Sequence, residues 1–327
     1  MKNNTNFVKI LTSIIFIGLL GIFCFYAFSQ AHSISLSKIG EQTSGTERKF
    51  NVLVACTSRE ESFGRQIFRG AQAMAQKYDA TIEFYMSDSQ SDRASHQMIF
   101  DYASYIEADG VIAVLEGAED GLSLPCLNDG SPIPMVTVGH YNPDLSQISY
   151  IGINYSELGV LIGNEILSSV SKIKNVCILY PDFPDNQNYS ILMDALLELT
   201  NKNNQLVMQN VFVPQNSSSS GENFYFRQLA DSEFPMIVVS LTEETTVLAA
   251  QTALDMNLTG KVRIIGFSHG AESRNYYEKG IISELILVNS LEIGKQAVEE
   301  IFEYKKNGYA NSYIVAGIDI LKKGGAL

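Results

Sequence analysis

Residues 266–270 form the pattern G-x-S-x-G directly after an apolar run, and this pattern is typical of the nucleophile elbow of serine hydrolases. In enzymes of that class, a histidine further along the chain acts as the base for the serine. His269 is the only histidine after Ser268, and it lies inside the elbow as the direct neighbour of the serine. We therefore predict that the chain is not an enzyme, with a serine hydrolase based on Ser268 as the alternative.

Other polar residues are suited to binding a ligand rather than transforming it. Glu60, Glu61 and Glu243 could receive a cation or an amine, although most acidic side chains on a protein surface are simply solvated. His140 follows a predicted strand, so it is either a ligand contact or an ordinary loop residue. The chain contains no phosphate-binding or dinucleotide-binding glycine motif. We predict no metal site and no cofactor.

Length and charge narrow the class of protein. A chain of 327 residues that is 46% hydrophobic is suited to two lobes and an anchor. The formal net charge of -13 argues against nucleic-acid binding, which requires clustered lysine and arginine. The four cysteines form no C-x-x-C pair and have no metal-ligand spacing with a histidine. The sequence leaves a Cys56–Cys126 disulfide open.

The N-terminal segment predicts a membrane anchor. Residues 10–28 are almost continuously apolar, and about 19 helical residues cross the hydrocarbon core of a bilayer. Lys2 and Lys9 precede the run, which keeps residues 1–9 in the cytoplasm and places the rest outside. Residues 29–48 are polar and predict a flexible linker.

Two other interpretations of the N-terminal segment compete with the anchor. Ala27-Phe28-Ser29 could be the cleavage site of a signal peptide, which would make the protein secreted. Lipidation at Cys24 is disfavoured because bulky residues, not small ones, precede it. We predict an uncleaved signal anchor.

After the linker, short apolar runs alternate with longer amphipathic ones. The predicted strands cover residues 50–55, 81–85, 110–115, 135–138, 175–180, 206–213, 236–240, 262–267, 281–288 and 314–321. The predicted helices cover residues 64–78, 95–106, 155–169, 189–200, 224–229, 243–256 and 291–305. This alternation predicts an α/β protein with two doubly wound parallel-sheet lobes joined by a multi-strand hinge and preceded by one transmembrane helix. The ligand of such a protein binds in the cleft between the lobes, at the carboxyl ends of the strands.

The ordered series of segments resembles a known family. Residues 50–72 (FNVLVACTSREESFGRQIFRGAQ) are similar to the opening of ribose- and galactose-type periplasmic binding proteins. The segments ADGVIAVLEGAED, PIPMVTVGHYN, SYIGINYSELG, RIIGFS and LEIGKQAVEEIF follow in the order that the family shows. Repressors of the lactose type share this fold but begin with a helix-turn-helix. The resemblance implies the type I periplasmic binding protein fold, with residues 49–153 plus 290–313 in an N-terminal lobe and 154–289 plus 314–327 in a C-terminal lobe.

The resemblance also implies a set of ligand-binding positions. They are Glu60, Glu61, Phe63, His140, Tyr189, Thr242, Glu243, Ser268, His269 and Asn289. Phe63 stands where family members often stack an aromatic ring on a sugar. Gly139-His140 replace the usual Asp-Arg clamp, and Ser268-His269 stand where the family has an aspartate after its RIIGF-type strand. The family's charged bidentate sugar contacts are therefore mostly missing.

The resemblance implies an extracytoplasmic solute-binding protein. It would capture a small, carbohydrate-like ligand between two lobes and present it to a membrane partner for transport, as in a sugar ABC transporter, or for sensing. The alternative is a ligand-sensing accessory subunit of a membrane histidine kinase, with a non-sugar or degenerate pocket. The expected partners are a sugar-like small molecule and a permease or sensor kinase, with no nucleic acid.

Overall fold

The secondary structure follows the alternation of apolar runs. The structure is a computed structural model that describes residues 49–89, 91–115, 121–139, 141–181, 187–202, 206–213 and 233–322. The strands are β1 (Phe50–Thr57), β2 (Ala80–Ser87), β3 (Gly110–Leu115), β4 (Met135–Gly139), β5 (Ser149–Gly152), β6 (Asn175–Pro181), β7 (Val207–Val213), β8 (Met236–Ser240), β9 (Val262–Ser268), β10 (Glu284–Val288), β11 (Tyr313–Val315) and β12 (Ile318–Lys322). The helices are α1 (Glu61–Ala75), α2 (Asp92–Tyr105), α3 (Tyr155–Ser169), α4 (Gln187–Thr200), α5 (Glu243–Asp255), α6 (Ala271–Glu278) and α7 (Ser290–Asn307).

The strands form two six-stranded sheets. The first sheet has the order β11-β5-β4-β3-β1-β2, and all of its neighbouring strands are parallel. The second has the order β12-β10-β9-β8-β6-β7 and is parallel except for β12, which runs antiparallel to β10. The chain passes between the sheets after β5, after β10 and between β11 and β12. This architecture confirms the predicted fold class of two doubly wound α/β lobes.

Each lobe pairs two helices closely on one face of its sheet. In the first lobe, α1 packs against α7, and a side chain at either of two glycines would collide with the facing backbone. A Cβ atom at Gly70 would lie 2.0 Å from the carbonyl oxygen of Leu291, and one at Gly294 would lie 2.0 Å from that of Ile67. In the second lobe, α3 packs against α4 with a similar close approach at Gly159. These contacts place the N-terminus of α1 at the cleft.

A partly buried ion-pair network links the edge of the second sheet to α3. The guanidinium of Arg263 on β9 contacts the carboxylates of Glu284 on β10 and Glu165 on α3. Lys322 on β12 contacts Glu165 at 2.5 Å. The side chains of Arg263, Glu165 and Glu284 are only 12%, 15% and 6% exposed, so their charges interact with little screening by solvent.

Three details differ from the sequence prediction. Strand β5 and helix α6 were not predicted, because one is four residues long and the other eight, too short to show a clear period. The single strand predicted at residues 314–321 is two strands, since β11 pairs with β5 and β12 pairs with β10. The predicted helix at residues 224–229 lies outside the described residues.

The predicted membrane anchor at residues 10–28 also lies outside the described residues. None of the helices described is long and hydrophobic enough to span a bilayer. Cys56, Cys126 and Cys177 are free thiols. Burial is the largest cause that raises the pKa of Cys56 and of Cys177 to about 12, so both thiols stay protonated and behave as small core residues.

Candidate functional site

A cavity of about 230 Å³ lies between the two lobes, where strands of both sheets end. The ends of β4, β5, β9 and β10 reach it, as the strand-end rule for parallel sheets predicts. Its aromatic lining residues are Phe63, Tyr155, Tyr189, Phe267 and His269. Its polar lining residues are Arg59, Glu60, Ser62, Thr242, Glu243 and Glu244. The cavity thus combines flat apolar surfaces with charged side chains from both lobes.

The first lobe presents its part of the site at the start of α1. A short 3-10 helix, Ser58–Glu60, leads from β1 into α1 and forms a capping box with Thr57. The carboxylate of Glu60 accepts hydrogen bonds from the backbone N of Thr57 at 3.0 Å and from its Oγ1 at 2.9 Å. These bonds fix the buried carboxylate at the cavity, and the next turn places Phe63 beside it.

The second lobe presents Glu243, the first residue of α5. Thr242 caps this helix through its side chain, which accepts from the backbone N of Thr245. The carboxylate of Glu243 accepts from the backbone N of His269 and from Oγ of Ser273 at 2.9 Å. Gly270 allows this approach, because a Cβ atom there would lie 2.6 Å from Oε1 of Glu243. Glu243 is therefore held rigidly between α5 and the loop after β9.

Direct contacts close the cleft around the cavity. Ser62 Oγ donates to the carbonyl oxygen of His269 at 2.8 Å, and Gln66 Nε2 donates to the same oxygen. The rings of Phe63 and His269 have their centroids 4.6 Å apart. The N-terminal half of α1 thus contacts the loop after β9 through two hydrogen bonds and one ring contact.

The imidazole of His269 is uncharged at neutral pH. Burial lowers its pKa from 6.5 to about 4, because the charged form loses its hydration. Its Nδ1 atom is shielded from solvent and has no hydrogen-bond partner among the described residues. A buried polar atom without a partner lowers the stability of the folded protein.

His269 should make the stability of the protein depend on pH. Between pH 6.5 and about 4 the unfolded chain binds a proton that the folded His269 excludes, so stability falls as the pH is lowered through this window. We expect His269→Gln to reduce this loss, with a difference in slope of up to about 1.4 kcal/mol per pH unit. Urea unfolding of both proteins at several pH values measures this pH dependence of the free energy of unfolding. Identical slopes in both proteins would contradict a buried neutral imidazole.

The structure brings together six of the ten predicted site residues. Those that line the cavity are Glu60, Phe63, Tyr189, Thr242, Glu243 and His269. His140 lies outside the described residues. Glu61 is not among the lining residues, and its carboxylate forms an ion pair with Arg65 one helical turn away.

Ser268 and Asn289 also do not line the cavity. Asn289 is the N-cap of α7, and its side chain accepts from the backbone N of Glu292. The Ser268 side chain is buried and lies 2.8 Å from Oγ of Ser273 and 3.4 Å from the carbonyl oxygen of Gly270. Both residues thus serve local structure.

The G-x-S-x-G segment does not have the geometry of a nucleophile. Ser268 is 2% exposed, whereas the elbow of a hydrolase exposes its serine at the top of the sheet. The Nδ1 atom of His269 makes no hydrogen bond to it within the described residues. Across all the residues that the structure describes, no group of histidine, cysteine and acidic side chains is arranged to hold a metal ion.

Sequence reasoning missed several lining residues. Tyr155 begins α3 immediately after the chain leaves the first sheet, and Arg59 and Ser62 flank residues that were predicted. A second cavity of about 420 Å³ adjoins the first, since Ile153 and Tyr155 line both. Its other aromatic residues are Tyr141, Tyr150 and Tyr313. The position of Tyr155 after a strand end was the signal that could have identified it.

Comparisons with known proteins agree with this geometry. A family model described as "Periplasmic binding protein domain" matches residues 52–308. No curated protein matches the chain.

Solved structures show the same fold at low sequence identity. A glucose-galactose binding protein, GanP from Geobacillus stearothermophilus, is 16% identical with a TM-score of 0.67, over 84% of this chain and 98% of that one. The structure of a XylFII-LytSN complex is 20% identical with a TM-score of 0.67, and the match covers 85% of this chain and 99% of that one. A third structure is that of a carbohydrate transporter solute binding protein from Agrobacterium Radiobacter in complex with D-arabinose. It is 11% identical with a TM-score of 0.70, and the match covers 85% of this chain and 96% of that one.

Proposed function

Because this chain belongs to the periplasmic binding protein domain family, we propose that it is a solute-binding protein that captures a small carbohydrate-like ligand between its two lobes. The observation that carries the proposal is the inter-lobe cavity, lined by Phe63 and Tyr189 from opposite lobes and by polar groups from both. Aromatic rings suit the apolar C–H face of a sugar, and the polar groups suit its hydroxyls. Similar folds have been solved as sugar-binding proteins, which supports this ligand class.

The size of the cavity restricts the ligand. Pockets for drug-sized ligands usually have about 300–1,000 Å³, and this one has about 230 Å³. A single sugar ring therefore matches this cavity, and a longer ligand would have to extend into the adjoining cavity of about 420 Å³. Because both lobes line the cavity, a ligand would stabilise the closed arrangement by contacting both sides.

The proposal predicts that sugars stabilise and compact the protein. We expect at least one member of a broad sugar library to raise the melting temperature of the full-length chain and to reduce its radius of gyration in solution scattering. If no sugar or small metabolite produces either change, the proposal of ligand capture is wrong.

Phe63 should supply much of the affinity. Phe63→Ala removes the ring that faces the cavity from α1, and we expect the affinity for the identified sugar to fall about 10- to 100-fold, the loss of one buried aromatic side chain. Isothermal titration calorimetry measures the change. Phe50→Ala is a control for loss of a phenylalanine ring, because Phe50 begins β1 and does not line the cavity. Equal losses in both variants would count against a specific role for Phe63.

We further propose that the domain lies on the extracytoplasmic side of a membrane, held by residues 10–28. Proteolysis of intact and permeabilised cells, with fractionation of membranes, tests both the side and the anchor. Release of the chain into the soluble fraction would favour the cleaved signal peptide over the anchor.

The membrane partner is either a permease or a sensor kinase. A fixed anchor limits diffusion to a permease and suits a neighbouring membrane protein, which favours sensing. A similar structure has been solved as a complex, XylFII-LytSN, which supports a partner-bound role. Crosslinking in native membranes distinguishes a permease partner from a sensor kinase partner, because recovery of a permease alone contradicts the sensing alternative.

A further inference from the structure

We propose that the second cavity is a subsite for a second sugar ring, so that the ligand is a disaccharide whose rings occupy the two adjoining cavities. This inference rests on the proposed function, because it specifies the length of the ligand that is captured between the lobes. The second ring would lie against the exposed rings of Tyr141 and Tyr313, which line the second cavity.

The two cavities are adjacent parts of one cleft. Ile153 and Tyr155, at the point where the chain passes from the first sheet to α3, line both cavities. Helix α4 also borders both, with one pair of residues at each cavity: Tyr189 and Leu192 at the first, Asn188 and Ile191 at the second. Neighbouring residues of a helix point about 100° apart, so a single turn of α4 can face both spaces. A ligand in the first cavity therefore has the second cavity as its immediate neighbour.

Three tyrosines of the first lobe form an aromatic platform in the second cavity. The ring of Tyr150 is buried, and its hydroxyl donates to the carbonyl oxygen of Gly139 at 2.9 Å. Tyr313 stacks on this ring with a centroid distance of 5.5 Å and an interplanar angle of 12°. Tyr141 contacts the same ring, also at 5.5 Å and with a tilt of 60°. Tyr141 and Tyr313 remain 53% and 49% exposed, so the platform is a positioned aromatic surface that is half open to solvent.

The polar residues of the second cavity suit the hydroxyl groups of a sugar. They are Asn154, Ser156 and Asn188 from the second lobe and Ser312 from the first. The side-chain oxygen of Asn154 accepts from the backbone N of Glu157 at 3.2 Å, which positions the amide and leaves its N–H groups to donate to a ligand. None of the described residues that line this cavity is charged. An uncharged ligand with an apolar face and several hydroxyls matches this lining.

The concave shape of this surface favours a small ligand over a protein partner. Exposed aromatic surface with a polar rim is typical both of protein contacts and of ligand grooves. Here the aromatic surface lines a cavity that continues the proposed ligand site, and both lobes enclose it. The two cavities, of about 230 and 420 Å³, together fall within the range of about 300–1,000 Å³ that is usual for small-molecule ligands. A second ring would contact both lobes and add to the stabilisation of the closed arrangement.

The test compares sugars that differ by one ring. Isothermal titration calorimetry on the full-length chain would use xylose with xylobiose, glucose with cellobiose and with maltose, and galactose with galactobiose. We expect one disaccharide to bind about 10- to 100-fold more tightly than its monosaccharide, because the second ring covers the aromatic platform.

Variants of the platform distinguish the second ring from the first. Tyr313→Ala removes a half-exposed ring and should lower the affinity for the disaccharide about 10-fold, with a much smaller change for the monosaccharide. Tyr309→Ala is the matched control, since Tyr309 is 70% exposed and lines neither cavity, and it should preserve both affinities. Phe63→Ala should lower both affinities, because both ligands place a ring in the first cavity. If Tyr313→Ala does not fold, Tyr141→Ala decides by the same comparison.

The outcomes separate this inference from the proposed function. A monosaccharide that binds as tightly as its disaccharide in every pair overturns the inference and leaves the sugar-binding role intact. The same conclusion follows if the advantage of the disaccharide survives both Tyr313→Ala and Tyr141→Ala. If these variants keep all sugar affinities but lose crosslinking to the membrane partner, the platform is a protein contact, which also overturns the inference. Absence of binding by these sugars and by the broad library contradicts the proposed function itself.

Discussion

Replacing Arg263 with methionine is expected to lower the free energy of unfolding by about 3–5 kcal/mol. The guanidinium of Arg263 lies between the carboxylates of Glu165 and Glu284, and all three side chains are largely buried. Without it, Glu284 becomes a buried charge with no basic partner, while Glu165 retains Lys322 at 2.5 Å. An uncompensated buried charge is far more costly than the loss of one exposed ion pair.

The control for this prediction is an exposed pair in the same protein. Lys77 contacts Glu299 at 2.8 Å, with side chains 56% and 41% exposed, so solvent screens the pair and Lys77→Met should change the free energy of unfolding far less than Arg263→Met. Urea unfolding of both variants measures the difference. The double variant Arg263→Met, Glu284→Leu should recover most of the loss, because it removes the stranded carboxylate. If it is as unstable as the single variant, an unpaired Glu284 is not the cause.

The fold was largely predictable because the strands are buried runs separated by amphipathic helices. Strand β3 is buried at every position, as a central strand of a parallel sheet covered on both faces must be. The Arg263 network was not predictable. Its partners lie 98 and 21 residues away in the chain and meet only when α3 packs beside the edge of the second sheet.

The site was predictable to the extent that strand ends define it. The family resemblance supplied Glu60, Thr242 and Glu243, which agrees with the rule that ligand sites form at strand ends, and the structure places all three at the cavity. The same rule failed for Asn289, because a residue at this position can point into a cleft or cap the next helix, and Asn289 caps α7. Local sequence does not distinguish these two directions.

Contacts between the lobes lay beyond sequence reasoning for a different reason. Ser62 and Gln66 both donate to the backbone oxygen of His269, which is 207 and 203 residues away. Any residue type supplies a carbonyl oxygen, so no pattern marks the acceptor. The unpartnered Nδ1 atom of His269 is likewise a property of the closed cleft. The contacts that join the two lobes at the cleft therefore emerged only from the three-dimensional arrangement.

The close packing of α1 against α7 leads to the second large expected effect. Helix propensity alone predicts that Gly294→Ala stabilises the protein by up to about 1 kcal/mol. The structure predicts the opposite sign, because a Cβ atom at this position would lie 2.0 Å from the carbonyl oxygen of Ile67 and 2.7 Å from the backbone N of Ala71. Both atoms belong to the backbone of α1, which cannot move aside as a flexible side chain can.

We expect Gly294→Ala to lower the free energy of unfolding by about 3 kcal/mol, the upper part of the range for overpacked cores. Gly317→Ala is the matched control, since a Cβ atom there would meet only Asn289 Cβ, at an ordinary 3.9 Å. Urea unfolding of the two variants gives the comparison, and a stable Gly294→Ala protein would show that α1 and α7 separate without cost. If they separate, Phe63 and Glu60 at the start of α1 should shift as well. A loss of stability without any loss of ligand affinity would therefore place the damage in the helix pair alone, whereas a joint loss would show that this packing positions the binding site.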